Sequence, residues 1–261
     1  MAKKLGLNYK LKNNNNMKTK FVNTLDEEIN LKQNSIYTPV LKMAWEELKT
    51  TLNLPITKIE SDIFNKVNDY KFLEEPLSSN EIKKEVTINE DKIKIKAEFD
   101  KSLPFKKELY VNGNPLFFEK KEICSFSPNK NWCKMLYYED KDNFAINIST
   151  KNDNEEIILI KSDFNNNFNL QDEINSTLSK QKNNNVGINK EDTIIVPIIE
   201  VDSSSDYADL LPVQLFTDKY PFIIETLSQK IDFTLNNKGA EVKVRVILKG
   251  TLQCIFQILI I

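Results

Sequence analysis

The spacing of apolar residues changes partway along the chain, and the change divides it. Val40, Leu41, Ala44, Trp45, Leu48 and Leu52 fall on one stripe at helical spacing. Thr38 stands where an N-cap belongs, and Pro39 suits the first helical position, where its missing N–H costs nothing. Pro55 predicts the opening of a second helix, with Ile56, Ile59, Ile63, Val67 and Tyr70 on one side. From Lys84 the period drops to two. Ile93-Lys94-Ile95-Lys96-Ala97-Glu98-Phe99 alternates strictly, as an antiparallel strand with one wet face does. Leu109-Tyr110-Val111 and Leu116-Phe117-Phe118 flank Asn112-Gly113, which predicts a hairpin. Residues 135–138, 143–149 and 156–161 predict a three-stranded meander. Residues 194–201 read as one strand buried on both faces despite Pro197. Residues 222–227 read as a helix, and 231–235 and 241–248 as strands around Asn236-Asn237-Lys238-Gly239. The fold class that follows is α+β, with N-terminal helices followed by mainly antiparallel sheets.

The same pattern sets the organisation. Residues 1–24 are basic and polar and read as a disordered tail, with 25–261 as a single α+β domain. An asparagine-rich excursion at about 162–192 carries one weak helix on Leu170, Ile174 and Leu178. No internal repeat is visible. The apolar end, 252–261, is expected to pair inside a sheet rather than stay exposed.

Composition then narrows the chemistry. Among 261 residues there is no histidine, which removes Ser-His-Asp and Cys-His catalysis and histidine-ligated metals. The five glycines lie too far apart for a dinucleotide or phosphate loop. Every basic residue but Arg245 is a lysine, and the lysines alternate with acids (Lys83-Lys84-Glu85, Lys106-Lys107-Glu108, Lys120-Lys121-Glu122). With a net charge of −2 this reads as a solvated surface with no affinity for nucleic acid. Cys124, Cys133 and Cys254 are odd in number and lack zinc-site spacing, so reduced thiols in the cytoplasm, with no metal and no cofactor, are expected. No stretch has the length and apolar character of a membrane span or a secretory signal.

Three patterns suggest chemistry and are outweighed. Ser127-Pro128-Asn129-Lys130 and Ser179-Lys180-Gln181-Lys182 match the serine–lysine pair of penicillin-recognising enzymes, but so short a pattern arises by chance in a lysine-rich chain and its K-T-G partner is absent. Asp202-Ser203-Ser204-Ser205-Asp206 with Asp209 suggests a calcium loop, yet Tyr207 and Val213 stand where glycine and glutamate are required. A capped short helix over 206–211 is the plainer reading. Glu90-Asp91, Glu139-Asp140 and Glu155-Glu156 are candidate acid pairs for a carboxylate-dependent hydrolase, all in expected turns.

One stretch resembles a family. Ser228-Gln229-Lys230-Ile231-Asp232-Phe233-Thr234-Leu235-Asn236-Asn237-Lys238-Gly239-Ala240-Glu241 is similar to the serpin strand that leads into the hinge of the reactive loop. Ser102-Leu103-Pro104-Phe105-Lys106 with Leu116-Phe117-Phe118 is similar to the segment where a serpin's central sheet crosses to its second sheet. Val196-Pro197-Ile198-Ile199 and then Tyr207-Ala208-Asp209-Leu210 are similar to a later strand and short helix, in the expected order. The resemblance covers about a third of the chain. It implies a hinge-like segment at Asn237, Gly239, Ala240, Glu241 and Val242. An inhibitory serpin traps a protease by inserting its cleaved loop as a new strand into the central sheet, which needs small residues after the hinge. Here Val242-Lys243-Val244-Arg245-Val246 follows, an alternation suited to a strand already in place. The reading is a non-enzymatic binding protein, a shortened or degenerate serpin-like chain without protease trapping, with an unidentified protein partner and neither nucleic acid nor membrane. A carboxylate-dependent hydrolase, or an incomplete gene product without independent activity, stays open as an alternative.

Overall fold

The computed structural model describes residues 4–6, 20–29, 35–70, 81–114, 116–118, 121–162, 168–182 and 186–253. Short strands β1 (Lys4–Gly6), β2 (Lys20–Val22) and β3 (Ser35–Tyr37) precede helix α1 (Val40–Leu52). Then come β4 (Ile56–Ile59), helix α2 (Asp62–Asp69), and the long hairpin of β5 (Ile82–Asn89) and β6 (Lys92–Pro104). Four short strands follow, β7 (Tyr110–Val111), β8 (Leu116–Phe118), β9 (Lys121–Ile123) and β10 (Ser125–Ser127). The meander β11 (Cys133–Asp140), β12 (Asn143–Ser149) and β13 (Glu156–Lys161) leads to helix α3 (Leu170–Lys182). The last part is all strand: β14 (Thr193–Pro197), β15 (Ile199–Asp206), β16 (Val213–Thr217), β17 (Phe222–Asn236) and β18 (Gly239–Leu252).

A central antiparallel sheet runs β4-β16-β17-β18-β6-β5, with β15 also paired to β17. Its inner face alternates as the sequence requires: Ile93, Ile95 and Ala97 of β6, Val244, Val246 and Leu248 of β18, and Ile224, Leu227 and Ile231 of β17 are buried. Helix α1 covers this face with its whole predicted stripe. Helix α2 backs α1, setting the Phe64 ring 5.0 Å from that of Trp45. A second core lies where the meander meets the sheet β1-β14-β10-β7, around Phe105, Phe126, Phe144 and Ile146. The two cores meet at the Asn237 end of the central sheet, where Leu235 and Ala240 belong to the second. The fold is α+β.

Several local expectations give way to long-range pairing. Residues 56–59 are strand β4, not helix, because Ile56 and Ile59 find partners on β16; α2 starts only after Ser61, whose Oγ accepts from the Phe64 N–H at 3.4 Å. Residues 222–227 open β17 rather than a helix, since β16 and β18 pair with them from both sides. The Asn112-Gly113 hairpin does not form. The Asn112 N–H donates to the Ser125 carbonyl, its Nδ2 to Ser125 Oγ, and its Oδ1 accepts from Ser127 Oγ, so β7 joins β10 while β8 pairs with β9. Residues 194–201 split into β14 and β15 in different sheets, the break following Pro197, which cannot donate to a ladder. Thr38 does not cap α1: its Oγ1 accepts from Gln229 Nε2 at 3.1 Å, and Pro39 takes the capping position.

Residues 202–206 belong to β15, and only Ala208–Leu210 form one helical turn, without an Asp206 cap. Helix α3 forms, but Ile174 and Leu178 face outward and Thr177 is buried. Within the stretch expected to be a tail, β1 pairs in parallel with β14, and β2 with β3. Most of that tail, Cys254 and the remainder of 252–261 beyond Gln253 lie outside the described residues.

Candidate functional site

The five hinge-like residues form the turn between β17 and β18 and the start of β18. Asn236 pairs with Gly239, leaving Asn237 and Lys238 as a two-residue turn. The Lys238 N–H closes it on Asn236 Oδ1 at 2.8 Å. The turn is tied to the segment after β6: the Phe105 N–H donates to the Lys238 carbonyl and the Leu109 N–H to the Asn237 carbonyl, each at 2.8 Å. Asn237 Nδ2 adds a bond to Glu108 Oε1 at 3.0 Å.

Gly239 sits opposite Pro104 with φ +146°, and a Cβ there would lie 2.3 Å from the Leu103 carbonyl oxygen and 2.7 Å from Pro104 Cα. Only glycine lets the two backbones come this close. Ala240 is buried between Leu235 and Leu103, Glu241 is exposed between Thr234 and Ser102, and Val242 is half-buried between Phe233 and Lys101. From Gly239 to Thr251 every residue of β18 has a partner on each side. The strand that begins at Gly239 is a central strand of the sheet.

On the solvent face the same strands carry rows of alternating charge. Arg245 Nε lies 2.5 Å from Glu98 Oε1, Lys243 3.8 Å from Asp100, and Lys230 3.4 Å from both Asp202 and Asp232. A shallow cleft of about 360 Å³ opens over these rows. Lys101 joins two parts of the molecule, its ammonium hydrogen-bonded to Glu81 before β5 and to Glu155 at the β12–β13 turn.

The sequence-derived catalytic candidates do not assemble. Ser127 Oγ donates to Asn112, while Lys130 Nζ donates to the Lys190 carbonyl. Glu90 and Asp91 form the β5–β6 turn, with Glu90 at φ 55°. Glu139 pairs with Lys180 at 3.0 Å, Asp140 Oδ1 accepts from the Asp142 N–H, and Glu155 is held by Lys101. Glu139, Asp140 and Glu155 are thus bound locally. Among the described residues no group of three or more His, Cys, Asp or Glu side chains could hold a metal.

Two features escaped the sequence reading. An acidic cleft of about 840 Å³ lies between 20–29 and α2, with Asp26, Glu27, Glu28, Asp62 and Asp69 on its wall. The run Asp26-Glu27-Glu28 was visible, but not its meeting with a helix more than thirty positions away. Under α3, a register shift between Met135 and Tyr137 turns Leu136 and Tyr137 toward the helix. Lys180 Nζ stands 4.6 Å over the Tyr137 ring. Burial, with the nearby Glu173 carboxylate adding to it, pushes the Tyr137 hydroxyl up to about 12. Burial also raises Glu173 against the pull of Lys180. These charges fasten the polar face of α3 to the meander.

No protein-family model matches the chain, and no curated protein matches it. Among solved structures it is similar to serpins. It matches the myxomaviral serine protease inhibitor 1 at 9% identity over 60% of this chain and 60% of that one, with a TM-score of 0.40. Against reaction-loop-cleaved lamprey angiotensinogen the values are 11% identity, 89% and 73% coverage and 0.43. Against the viral serpin CrmA they are 12%, 84% and 73%, and 0.41. The chain spans 60% of the first of these and 66% of a thyroxine-binding globulin. The resemblance to serpins is weak and partial.

Proposed function

We propose that this chain is a non-enzymatic binding protein with a serpin-like central sheet that does not trap proteases. One observation carries the reading. Residues Gly239 to Thr251, the stretch a trapping mechanism would keep outside the sheet until cleavage, are paired on both sides between β17 and β6. Trapping draws its free energy from adding a strand, and here that position is filled. The local bonding of Glu139, Asp140 and Glu155 favours binding over hydrolysis. The alternating charge rows favour a protein partner over nucleic acid. The free thiols of Cys124 and Cys133 fit a reducing, cytoplasmic setting.

The test is incubation with trypsin-, chymotrypsin- and elastase-like proteases. The expected result is no covalent complex on denaturing electrophoresis, β18 uncut, and a nicked protein that melts at or below the intact midpoint. A cut within β18 that raises the midpoint, or a complex that survives denaturation, overturns the reading.

A further inference from the structure

Strand β5 is the edge of the central sheet, and among the described residues nothing pairs with its outer side. Its register against β6 runs without a bulge from Ile82 to Asn89, it contains no proline, and every residue after Ile82 is exposed. Bulges, prolines and covering loops are what keep such an edge from pairing with another chain. The direction of its free backbone groups follows from one bond. The Asp100 N–H donates to the Glu81 carbonyl at 2.9 Å, one step beyond the pair of Ile82 with Phe99. Bonded and non-bonded pairs alternate along an antiparallel ladder. Residues 83, 85, 87 and 89 therefore bond to β6, while Ile82, Lys84, Val86 and Ile88 turn their N–H and carbonyl groups outward.

The charges around these groups select the partner. Lys83 and Lys84 stand at one end of the strand, and Glu90 and Asp91 at the other, in the β5–β6 turn. Lys84 is held by Glu47 of α1 at 3.0 Å. Among the described residues Lys83, Glu90 and Asp91 make no ion pair. Between the two ends Val86-Thr87-Ile88-Asn89 carries no charge. Val86 and Ile88 lie opposite Ile95 and Ile93 and continue the apolar inner face, yet they remain 39% and 59% exposed. A strand with a basic start, an apolar middle and an acidic end is complementary to itself run antiparallel. Because the outward groups belong to even-numbered residues, two such strands can bond only in registers centred on a residue. Centring on Lys84 or Glu85 sets like charges face to face, and centring on Ile88 sets Glu85 against Asp91. Centring on Val86 sets Lys84 against Ile88. Centring on Thr87 sets Val86 against Ile88 of the second copy, and brings Lys83 and Lys84 to Asp91 and Glu90 of that copy.

We propose that β5 pairs antiparallel with β5 of a second copy of this chain, centred on Thr87, so that the two central sheets become one across a two-fold axis. The experiment combines sedimentation equilibrium with residue-resolved hydrogen exchange at two protein concentrations. It uses the full chain and three variants of it: Lys83→Glu, Asp91→Lys, and both together. The expected result is a dimer in which the amides of Lys84, Val86 and Ile88 exchange more slowly as concentration rises, while those of β6 and β17 stay protected throughout. Each single reversal sets like charges together twice per dimer and should weaken association about tenfold or more. The double variant sets opposite charges together again and should recover the parent's association. Both positions are exposed, so the variants keep the fold, and the β6 and β17 amides report it. A monomer whose outward β5 amides exchange freely overturns the proposal. Protection that does not change with concentration assigns the edge to another segment of the same chain, and overturns it too. So does a dimer that ignores the single reversals or that the double variant fails to restore, because its contact then lies elsewhere.

Discussion

Replacing Gly239 by alanine separates a fixed hinge from a mobile one, because the two readings predict opposite signs. In the paired structure the new Cβ lies 2.3 Å from the Leu103 carbonyl oxygen and 2.7 Å from Pro104 Cα, both backbone atoms that cannot swing aside. Forcing β18 and β6 apart at that point resembles overpacking, about 1–3 kcal/mol. Holding a side chain at φ +146° adds about 1–3 kcal/mol of backbone strain. Gly239→Ala should therefore destabilise by about 3 kcal/mol, lowering the melting midpoint by about 6–12 °C for a chain of this size. Were the segment unpaired and mobile, alanine would meet nothing. It would then stabilise by about 0.4–1 kcal/mol by restricting the unfolded chain. Urea unfolding and thermal melting followed by circular dichroism read the difference. Gly113→Ala is the control, since no heavy atom lies within 4 Å of its new Cβ. A Gly239→Ala protein as stable as its parent, or more stable, refutes the claim that the hinge glycine is locked into the sheet.

Two further outcomes follow from the first core and the charged face. Trp45 is fully buried and donates from Nε1 to Asn68 Oδ1 at 3.1 Å, so Trp45→Ala should cost about 3–5 kcal/mol by urea unfolding. Trp45→Phe should cost much less, because Lys49 Nζ still donates to Asn68 Oδ1 at 3.2 Å; equal losses in both variants would contradict this packing. Burial works to raise the Glu98 carboxyl, but hydrogen bonds from Arg245 and Lys96 outweigh it and hold it below its ordinary value of 4.5. Its stabilising effect is therefore present above the unfolded pKa and lost as pH falls through the lower folded one. Glu98→Gln should lose less stability than the parent between about pH 5 and about pH 3, and an unchanged acid limb would contradict the pairing.

What the sequence made legible was local and periodic. The α1 stripe, the alternation of β6 and β18, and the meander each repeat a pattern that one element satisfies alone. The errors share a cause. Residues 56–59 and 222–227 are short apolar runs whose period fits either element, and distant strands decided the matter. Asn112-Gly113 is a strong turn signal, but Ser125 and Ser127 offered Asn112 three hydrogen bonds from farther along the chain. In α3 the spacing of Leu170, Ile174 and Leu178 located the helix but not its buried side. Tyr137 and Lys180 turned the polar face inward, a contact across more than forty residues. The hinge-like residues were found as a motif, while their partners, Leu103, Pro104 and Glu108, lie more than a hundred positions away.

That separation explains why the motif around Gly239 is ambiguous in sequence. A glycine before a small residue is required wherever backbone must bend freely, and equally wherever a neighbouring backbone leaves no room for Cβ. What distinguishes the cases is the residues that follow. Val244, Val246 and Leu248 are buried under α1, while Lys243 and Arg245 answer Asp100 and Glu98 on the opposite face. Withdrawing β18 would return those three apolar side chains to water at about 1.5–3 kcal/mol each, or about 5–9 kcal/mol together. It would also break the ladders to β17 and β6. A sum of that size matches the whole stability of an ordinary domain, about 5–15 kcal/mol. The proposed function therefore predicts that the strand does not leave the sheet as a separate step. Amides of β18 should then exchange only through global unfolding, and faster exchange there than the global limit would contradict this.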